Sequence, residues 1–223
     1  MNSEWMAQVE RRAALHAALS DPGRLAVVEL LSRGDASPSE LAAELAMPSN
    51  LLAHHVNVLV EHGLLERTRS EGDRRRTYLR LLPSDLGPFA DPLPRPRRVL
   101  FICTANSARS HLAVALWRRT STIPATSAGT HPAASLAAGA IAAASRHKLQ
   151  LGDEHPRRID EVRQADDLVI TVCDRAHEEI GADADAHWSI PDPVPAGDVS
   201  AFDDAITELE RRVVDLAPRL VLN

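Results

Sequence analysis

The chain has 223 residues, 44% hydrophobic and 25% charged, a globular composition with room for two domains of about 100 residues each that excludes disorder, collagen-like repeats and a disulfide scaffold. Aromatic residues make up only 3%, which excludes an RNA-binding face built on stacked rings, and two cysteines fit a reducing cytoplasm in which a thiol is reactive or buried rather than bridged. The net charge of -6 argues against an evenly basic nucleic-acid surface, so the distribution of charge decides.

The opening segment MNSEWMAQVERRAALHAAL carries Glu4, Glu10, Arg11 and Arg12 and has no apolar h-region, so no secretory signal is expected. The longest uncharged stretch, residues 120–145, is broken by Pro124, Gly129, Pro132 and Gly139, so no membrane span and no membrane partner are expected. Leu15, Ala18 and Leu19 close a first amphipathic helix. Asp21 and Pro22 supply an N-cap and first-turn proline for a second, with Leu25, Val28, Leu30 and Leu31 facing inward and Gly34 as its end. Ser37-Pro38-Ser39-Glu40 starts a short helix, and Pro48-Ser49-Asn50 opens another, NLLAHHVNVLVEHG, with Leu52, Val56, Leu59 and Val60 on its apolar face. Two short helices joined by a tight turn form a helix-turn-helix. LLERTRSEGDRRRTYLRLL then reads as a hairpin, and Arg67, Arg69, Arg74, Arg75, Arg76 and Arg80 give it a local cationic edge. Pro83, Pro88, Pro92, Pro94 and Pro96 mark a semi-rigid spacer, so the domains are placed at 1–82 and 97–223 with a linker at 83–96.

The segment PSELAAELAMPSNLLAHHVNVLVEHGLLERTRSEGDRRRTYLRL resembles the winged helix-turn-helix of the arsenical-resistance repressor family. That resemblance implies a homodimer on a double-stranded DNA operator. It places Ser49, Asn50, His54, His55 and Asn57 near bases and Arg69, Arg74, Arg75 and Arg76 near phosphates. Trp5, Met6, Val9 and Leu15 are the expected first-helix dimer contacts. Residues 1–96 contain no cysteine, so the family's thiolate metal sensor has no ligands here. His54, His55 and His62 do not complete a tetrahedral set, and no metal is expected.

In the second domain the apolar run VLFIC suits a buried parallel strand, and TANSARSHLAVALWRR a polar loop entering a helix. Between them Cys103, five intervening residues, Arg109 and Ser110 make CTANSARS. Backbone N–H groups of Thr104, Ala105, Asn106, Ser107 and Ala108 would surround a tetrahedral oxyanion. Arg109 would grip two of its oxygens, and the same positive field would lower the Cys103 thiol pKa and make it a nucleophile at neutral pH. Near the end, HWSIPDP holds Asp192 between two prolines, where a stiff loop can carry a general acid.

VLFICTANSARS, the segment 127–132, ADDLVITVCDRA and HWSIPDP together resemble the low-molecular-weight phosphotyrosine phosphatase fold, its thiol-dependent arsenate reductases in particular. The resemblance implies an α/β chain overall: a mostly helical winged helix-turn-helix domain followed by a four-stranded parallel sheet flanked by helices. It implies Cys103 as nucleophile, Arg109 as oxyanion clamp, Ser110 as a hydroxyl supporting the thiolate, Asn106 as the residue shaping the loop, and Asp192 as proton donor. Ala105 stands where the family commonly has glycine, and an alanine held at positive φ would cost about 1 kcal/mol or more.

Thiolate attack on the oxyanion opens two chemistries, hydrolysis of a phospho-cysteine or reduction of a cysteine–arsenic adduct by a second thiol. Cys173 stands where thioredoxin-coupled reductases of this fold carry their first resolving cysteine, but Ile180 replaces the next. Cys173, or a low-molecular-weight thiol such as mycothiol or glutathione, would therefore resolve the adduct, with such a thiol or thioredoxin as co-substrate and no tightly bound cofactor. The residues after Asp192 offer no ring for a phosphotyrosine slot, Trp188 being the nearby candidate, so arsenate fits better than an aryl phosphate. The expectation is a cytoplasmic DNA-binding regulator fused to an arsenate-reductase-like domain. A DNA-tethered tyrosine phosphatase and a catalytically silent oxyanion or redox sensor are the alternatives.

Overall fold

The computed structural model describes residues 3–83, 92–152 and 155–221, and the chain divides into an N-terminal and a C-terminal compact unit. The N-terminal unit runs α1 (Ser3–Leu19), α2 (Pro22–Leu31), α3 (Pro38–Glu44), α4 (Ser49–Glu61), β1 (Leu65–Arg69) and β2 (Thr77–Leu81). Local chemistry sets these limits. The Asp21 carboxylate accepts from the Arg24 N–H with Pro22 in the first turn of α2, and Ser37 with Glu40 makes a reciprocal capping box on α3. α4 ends into Gly63, whose φ of +69° suits a residue without Cβ. The β1–β2 hairpin is antiparallel, Arg67 opposite Leu79, and Leu79 also bridges to Ala36. Val27, Val28, Leu31, Leu41, Leu52, Val56, Leu59, Leu64 and Leu79 form the core beneath them. Leu25, expected to face inward, is 37% exposed, because Val27 and Val28 occupy the inner stripe of α2 instead.

The C-terminal unit runs β3 (Leu93–Pro94), β4 (Arg98–Cys103), α5 (Arg109–Thr120), β5 (Ala125–Gly129), α6 (Ala138–Arg146), α7 (Ile159–Val162), β6 (Asp167–Thr171), α8 (Asp174–Ile180), β7 (Ala186–His187), α9 (Pro193–Ala196), α10 (Val199–Leu216) and β8 (Leu220–Val221). Four strands make one parallel sheet in the order β5-β4-β6-β7. The all-apolar run Val99–Ile102 is its centre, buried on both faces as a central parallel strand requires. Trp117 and Trp188 flank Phe101 with ring centroids 5.8 and 5.6 Å away, and α10 adds Phe202, Ile206, Leu209 and Val213 to the same core. The expected spacer falls partly outside the described residues, at 84–91. Its later residues Leu93 and Pro94 pair in parallel with Leu220 and Val221. Every strand of the four-stranded sheet delivers its C-terminal end to the same edge, where α/β folds place their sites.

Candidate functional site

At that edge β4 stops at Cys103, the loop 104–108 turns, and α5 begins at Arg109. The loop is held from outside. The carbonyls of Cys103, Thr104, Ala105 and Ser107 accept from the N–H groups of Thr130, His131, Ala133 and Ala137 at 3.3, 2.8, 2.9 and 2.9 Å. Because each peptide is planar and trans, turning its carbonyl outward turns the following N–H the other way, which brings that of Asn106 to Cys103 Sγ and that of Thr104 to Cys173 Sγ. Gly129 permits this bracing: a Cβ there would stand 2.7 Å from the Thr104 carbonyl and 2.9 Å from the Asn106 Cβ. The first turn of α5 has no side-chain cap, so its amide donors remain available to an anion.

The positive φ expected at Ala105 falls instead on Asn106, at +47°. Asparagine tolerates that region, and its side chain is fully engaged: Nδ2 donates to Ser110 Oγ at 2.9 Å and Ser127 Oγ at 3.0 Å, and Oδ1 accepts from the Arg157 N–H at 2.8 Å. The Asn106 N–H in turn donates to Cys103 Sγ at 3.2 Å, and the Ser110 hydroxyl lies 3.2 Å from the same sulfur. Asn106 thus both shapes the loop and donates to the Cys103 sulfur.

Arg109 is 7% exposed and aimed by two fixed acceptors: Nη1 donates to the Ile190 carbonyl at 2.9 Å, and Nη2 pairs with Asp192 Oδ2 at 2.8 Å. Burial by itself would lower the guanidinium pKa, but the charges of Cys173, Cys103 and Asp192 outweigh it and raise the value. Asp192 caps α9 through Oδ1, which accepts from the Val194 N–H at 3.1 Å, leaving Oδ2 on the Arg109 side. Cys103, Ala105, Ser107, Ala108, Arg109, Asp192 and Val194 line a cavity of about 80 Å³. Its lining contains no aromatic ring. Trp188, the nearby candidate for a slot wall, is instead 1% exposed and packed in the core against Phe101, because the chain leaving β7 turns it inward.

Cys173 follows β6 beside this loop and is buried. Its Sγ accepts from the Thr104 N–H at 3.2 Å and lies 3.4 Å from the Thr104 hydroxyl. Burial pushes the Cys173 thiol up, the Arg109 guanidinium pulls it down, and charge on the neighbouring Cys103 sulfur raises it further. Sequence reasoning misses Ser127, Gly129 and the backbone of Arg157 as supports of the loop. The 127–132 segment carries a signal for the first two, whereas a backbone donor leaves none.

In the N-terminal unit α4 exposes Ser49, Asn50, His54 and Asn57, and the hairpin exposes Arg69, Arg74, Arg75 and Arg76. His55 is corrected: it is buried, with Nδ1 3.6 Å from Asp21, because it falls beside Leu52, Val56 and Leu59 on the inner side of α4. Arg80 also leaves the cationic edge, lying 3.6 Å from both Asp35 and Glu66 with little exposure. Arg67 donates to Asn57 Oδ1 at 2.7 Å, tying the hairpin to α4, and Arg76 lies 4.0 Å from Glu40. No described helix is long and apolar enough to cross a membrane.

Residues 19–68 match the family model described as a helix-turn-helix domain, and residues 98–223 match that of the low molecular weight phosphotyrosine protein phosphatases. No curated protein matches the chain. Among solved structures, the tyrosine phosphatase Wzb from Escherichia coli K30, in complex with sulphate, is 24% identical with a TM-score of 0.50, over 55% of this chain and 97% of its own. An arsenate reductase from Archaeoglobus fulgidus is 31% identical over 54% of this chain and 98% of its own, with a TM-score of 0.47. A YwlE mutant from Bacillus subtilis is 20% identical over 54% and 96%, with a TM-score of 0.48. With more than half of its length matched at the Cys103 cradle and the sheet behind it, the chain belongs to the low molecular weight phosphotyrosine protein phosphatase family, and carries a helix-turn-helix domain ahead of that part.

Proposed function

We propose that this protein is a dimeric DNA-binding regulator whose phosphatase-family domain reduces arsenate with Cys103 as nucleophile and Cys173 as second thiol. The observation that carries this reading is the meeting of both cysteines at one residue: Thr104 follows Cys103 in the chain and gives its N–H to Cys173 Sγ.

The Cys103 thiolate attacks the arsenic of arsenate held by the loop amides 105–108 and the Arg109 fork, the Thr104 N–H, expected in the cradle, being taken instead by Cys173 Sγ. Asp192 gives a proton to the departing oxygen, which leaves as water, and a sulfur–arsenic bond forms. The Cys173 thiolate then attacks Cys103 Sγ. A disulfide forms, the electron pair of the broken sulfur–arsenic bond stays on arsenic, and arsenite leaves. Two thiols have lost two electrons and As(V) has gained them. A cellular thiol, mycothiol, glutathione or a thioredoxin-type protein, returns Cys103 and Cys173 to the reduced state. Ser110 supports the Cys103 thiolate before attack and after disulfide reduction.

A small ring-free cavity supports an inorganic oxyanion over an aryl phosphate, which needs a wall to stack on. On the N-terminal unit, Ser49, Asn50, His54 and Asn57 on one helix face read bases, and Arg69, Arg74, Arg75 and Arg76 bind phosphates. The test is arsenite production by the purified protein supplied in turn with thioredoxin, glutathione and mycothiol systems. Cys103→Ser abolishes it, and Cys173→Ser abolishes it unless a soluble thiol is present. Aryl-phosphate hydrolysis with no arsenite would make the domain a phosphatase. Neither activity, with DNA affinity answering to arsenate, would make it a sensor.

A further inference from the structure

One buried cluster beside the site is used by none of the steps above. Asp174, directly after Cys173, places Oδ1 3.0 Å from His187 Nε2, with side chains 3% and 1% exposed. His187 Nδ1 lies 2.9 Å from Thr171 Oγ1, which lies 3.3 Å from His177 Nδ1, and the two imidazoles stack at 4.2 Å with an interplanar angle of 8°. Burial works to raise the Asp174 pKa, yet hydrogen bonds from His187, from the Glu71 N–H to Oδ2 at 2.7 Å and from Ser189 outweigh it and hold the carboxyl below the usual aspartate range. A carboxylate only accepts, so His187 Nε2 carries a proton. The Thr171 hydroxyl, close to both Nδ1 atoms, also donates to the Ala186 carbonyl at 3.3 Å and so fixes the end of β6 against β7.

The cluster links the two segments that supply the chemistry. Thr171 ends β6, and Asp174 and His177 sit on α8, so Cys173 is flanked on both sides by its members; the His177 N–H also donates to the Cys173 carbonyl at 3.2 Å. His187 ends β7, from which the chain runs on to Ile190 and Asp192 at the Arg109 fork. α8 has only seven residues, of which Asp174, Ala176 and His177 are buried, and the Asp174–His187 bond ties its first turn to the end of β7.

We propose that Asp174 and His187 are positioning residues for the second thiol: their buried hydrogen bond holds the β6–α8 junction so that Cys173 Sγ stays on the Thr104 N–H, within reach of Cys103. The proposal rests on Cys173 as second thiol, and it separates that step from the first attack, which draws on the Cys103 loop, Arg109 and Asp192 and on neither Asp174 nor His187.

The test uses the full chain and two readouts. Diamide takes two electrons and two protons from a pair of thiols, becoming the hydrazine, and the Cys103–Cys173 disulfide it leaves is followed by mass spectrometry. Calorimetric binding of inorganic phosphate to the reduced protein reports the cradle alone. Asp174→Ala and His187→Ala are expected to slow disulfide formation at least tenfold while phosphate affinity stays within threefold, and to lower kcat for arsenate with KM little changed. His187→Gln, whose amide nitrogen reaches the Nε2 position and donates to Asp174, restores most of the disulfide rate, a rescue that general packing does not produce. Where an alanine variant does not fold, His187→Phe carries the test, since it keeps the ring on His177 and removes both nitrogens. Equal disulfide rates in wild type and variants, or loss of both readouts together, overturn the proposal, as does absence of the disulfide in the wild type. Slowed disulfide formation in a protein that makes no arsenite from arsenate would instead overturn the reductase reading and leave the positioning role standing.

Discussion

Asn106 shows how much one side chain can decide. It is the residue at φ +47° in the loop, it donates to Ser110 and Ser127, and its own amide reaches the Cys103 sulfur. Two of its properties are separable. Asn106→Gly keeps the backbone conformation and loses the side-chain bonds, whereas Asn106→Ala loses the bonds and is also strained by about 1 kcal/mol. Both variants are expected to lose at least tenfold in Cys103-dependent turnover, with Asn106→Ala the less stable of the two by thermal melting. A more stable alanine variant would show that the loop relaxes elsewhere. The CTANSARS motif names every residue of this loop, but the family resemblance puts the strain on Ala105, where glycine is common, and a residue replacement alone cannot tell which peptide turns. His55 is misplaced by the sequence for a related reason: adjacent histidines on a helix point about 100° apart, and only packing decides which one faces the core. Cys173 carries a further expectation. Its thiol is pushed up by burial, so at neutral pH it is mostly protonated and the second-thiol step speeds as pH rises. Single-turnover arsenite release should therefore climb between about pH 7 and 9, and a flat profile would place the rate limit in the first attack.

At the scale of elements, amphipathic period, caps and proline punctuation make α2, α3, α4, the hairpin, β4 and α5 legible, because each is fixed by residues adjacent in sequence. What is not legible is the bracing of one element by another, such as the 130–137 segment that turns the loop carbonyls outward, since those bonds join backbone to backbone. The same distinction governs α4 and the hairpin, proposed above to meet DNA. Asn57 is exposed on α4 and accepts from Arg67 through Oδ1, which leaves a second lone pair and the Nδ2 donors for a base edge. Arg75 is exposed on the hairpin, where a phosphate contact needs no specific base. Arg75→Ala is expected to weaken binding to all duplexes alike and to reduce the slope of log K against log salt by roughly 1 for each copy bound. Asn57→Ala is expected to change sequence preference with little change in slope. The opposite assignment of slopes would move the phosphate contact onto α4.

Over the whole molecule, acidic residues outnumber basic ones, and on the C-terminal unit much of that acidity is held in ion pairs. Glu208 on α10 is the strongest case. It receives Arg211 through both carboxylate oxygens at 2.7 and 3.0 Å and Arg212 Nε at 2.8 Å, with Arg212 itself 6% exposed. Burial alone would raise the Glu208 pKa, but these partners lower it to about 2. A carboxyl depressed in the folded state stabilises it fully above the ordinary glutamate range. That contribution is lost as pH falls from there through about 2, where folded and unfolded chains bind the proton alike. α10 carries Phe202, Ile206, Leu209 and Val213 into the core it shares with the sheet of the Cys103 cradle, and these ion pairs, all within α10, stabilise the helix that supplies them. Glu208→Gln is expected to melt several degrees lower than wild type at neutral pH, with the two melting temperatures converging as pH approaches about 2. A difference that persists unchanged at that acidity would assign the effect to packing of the side-chain stem, and the charge pairing of α10 would then carry none of the fold's acid sensitivity.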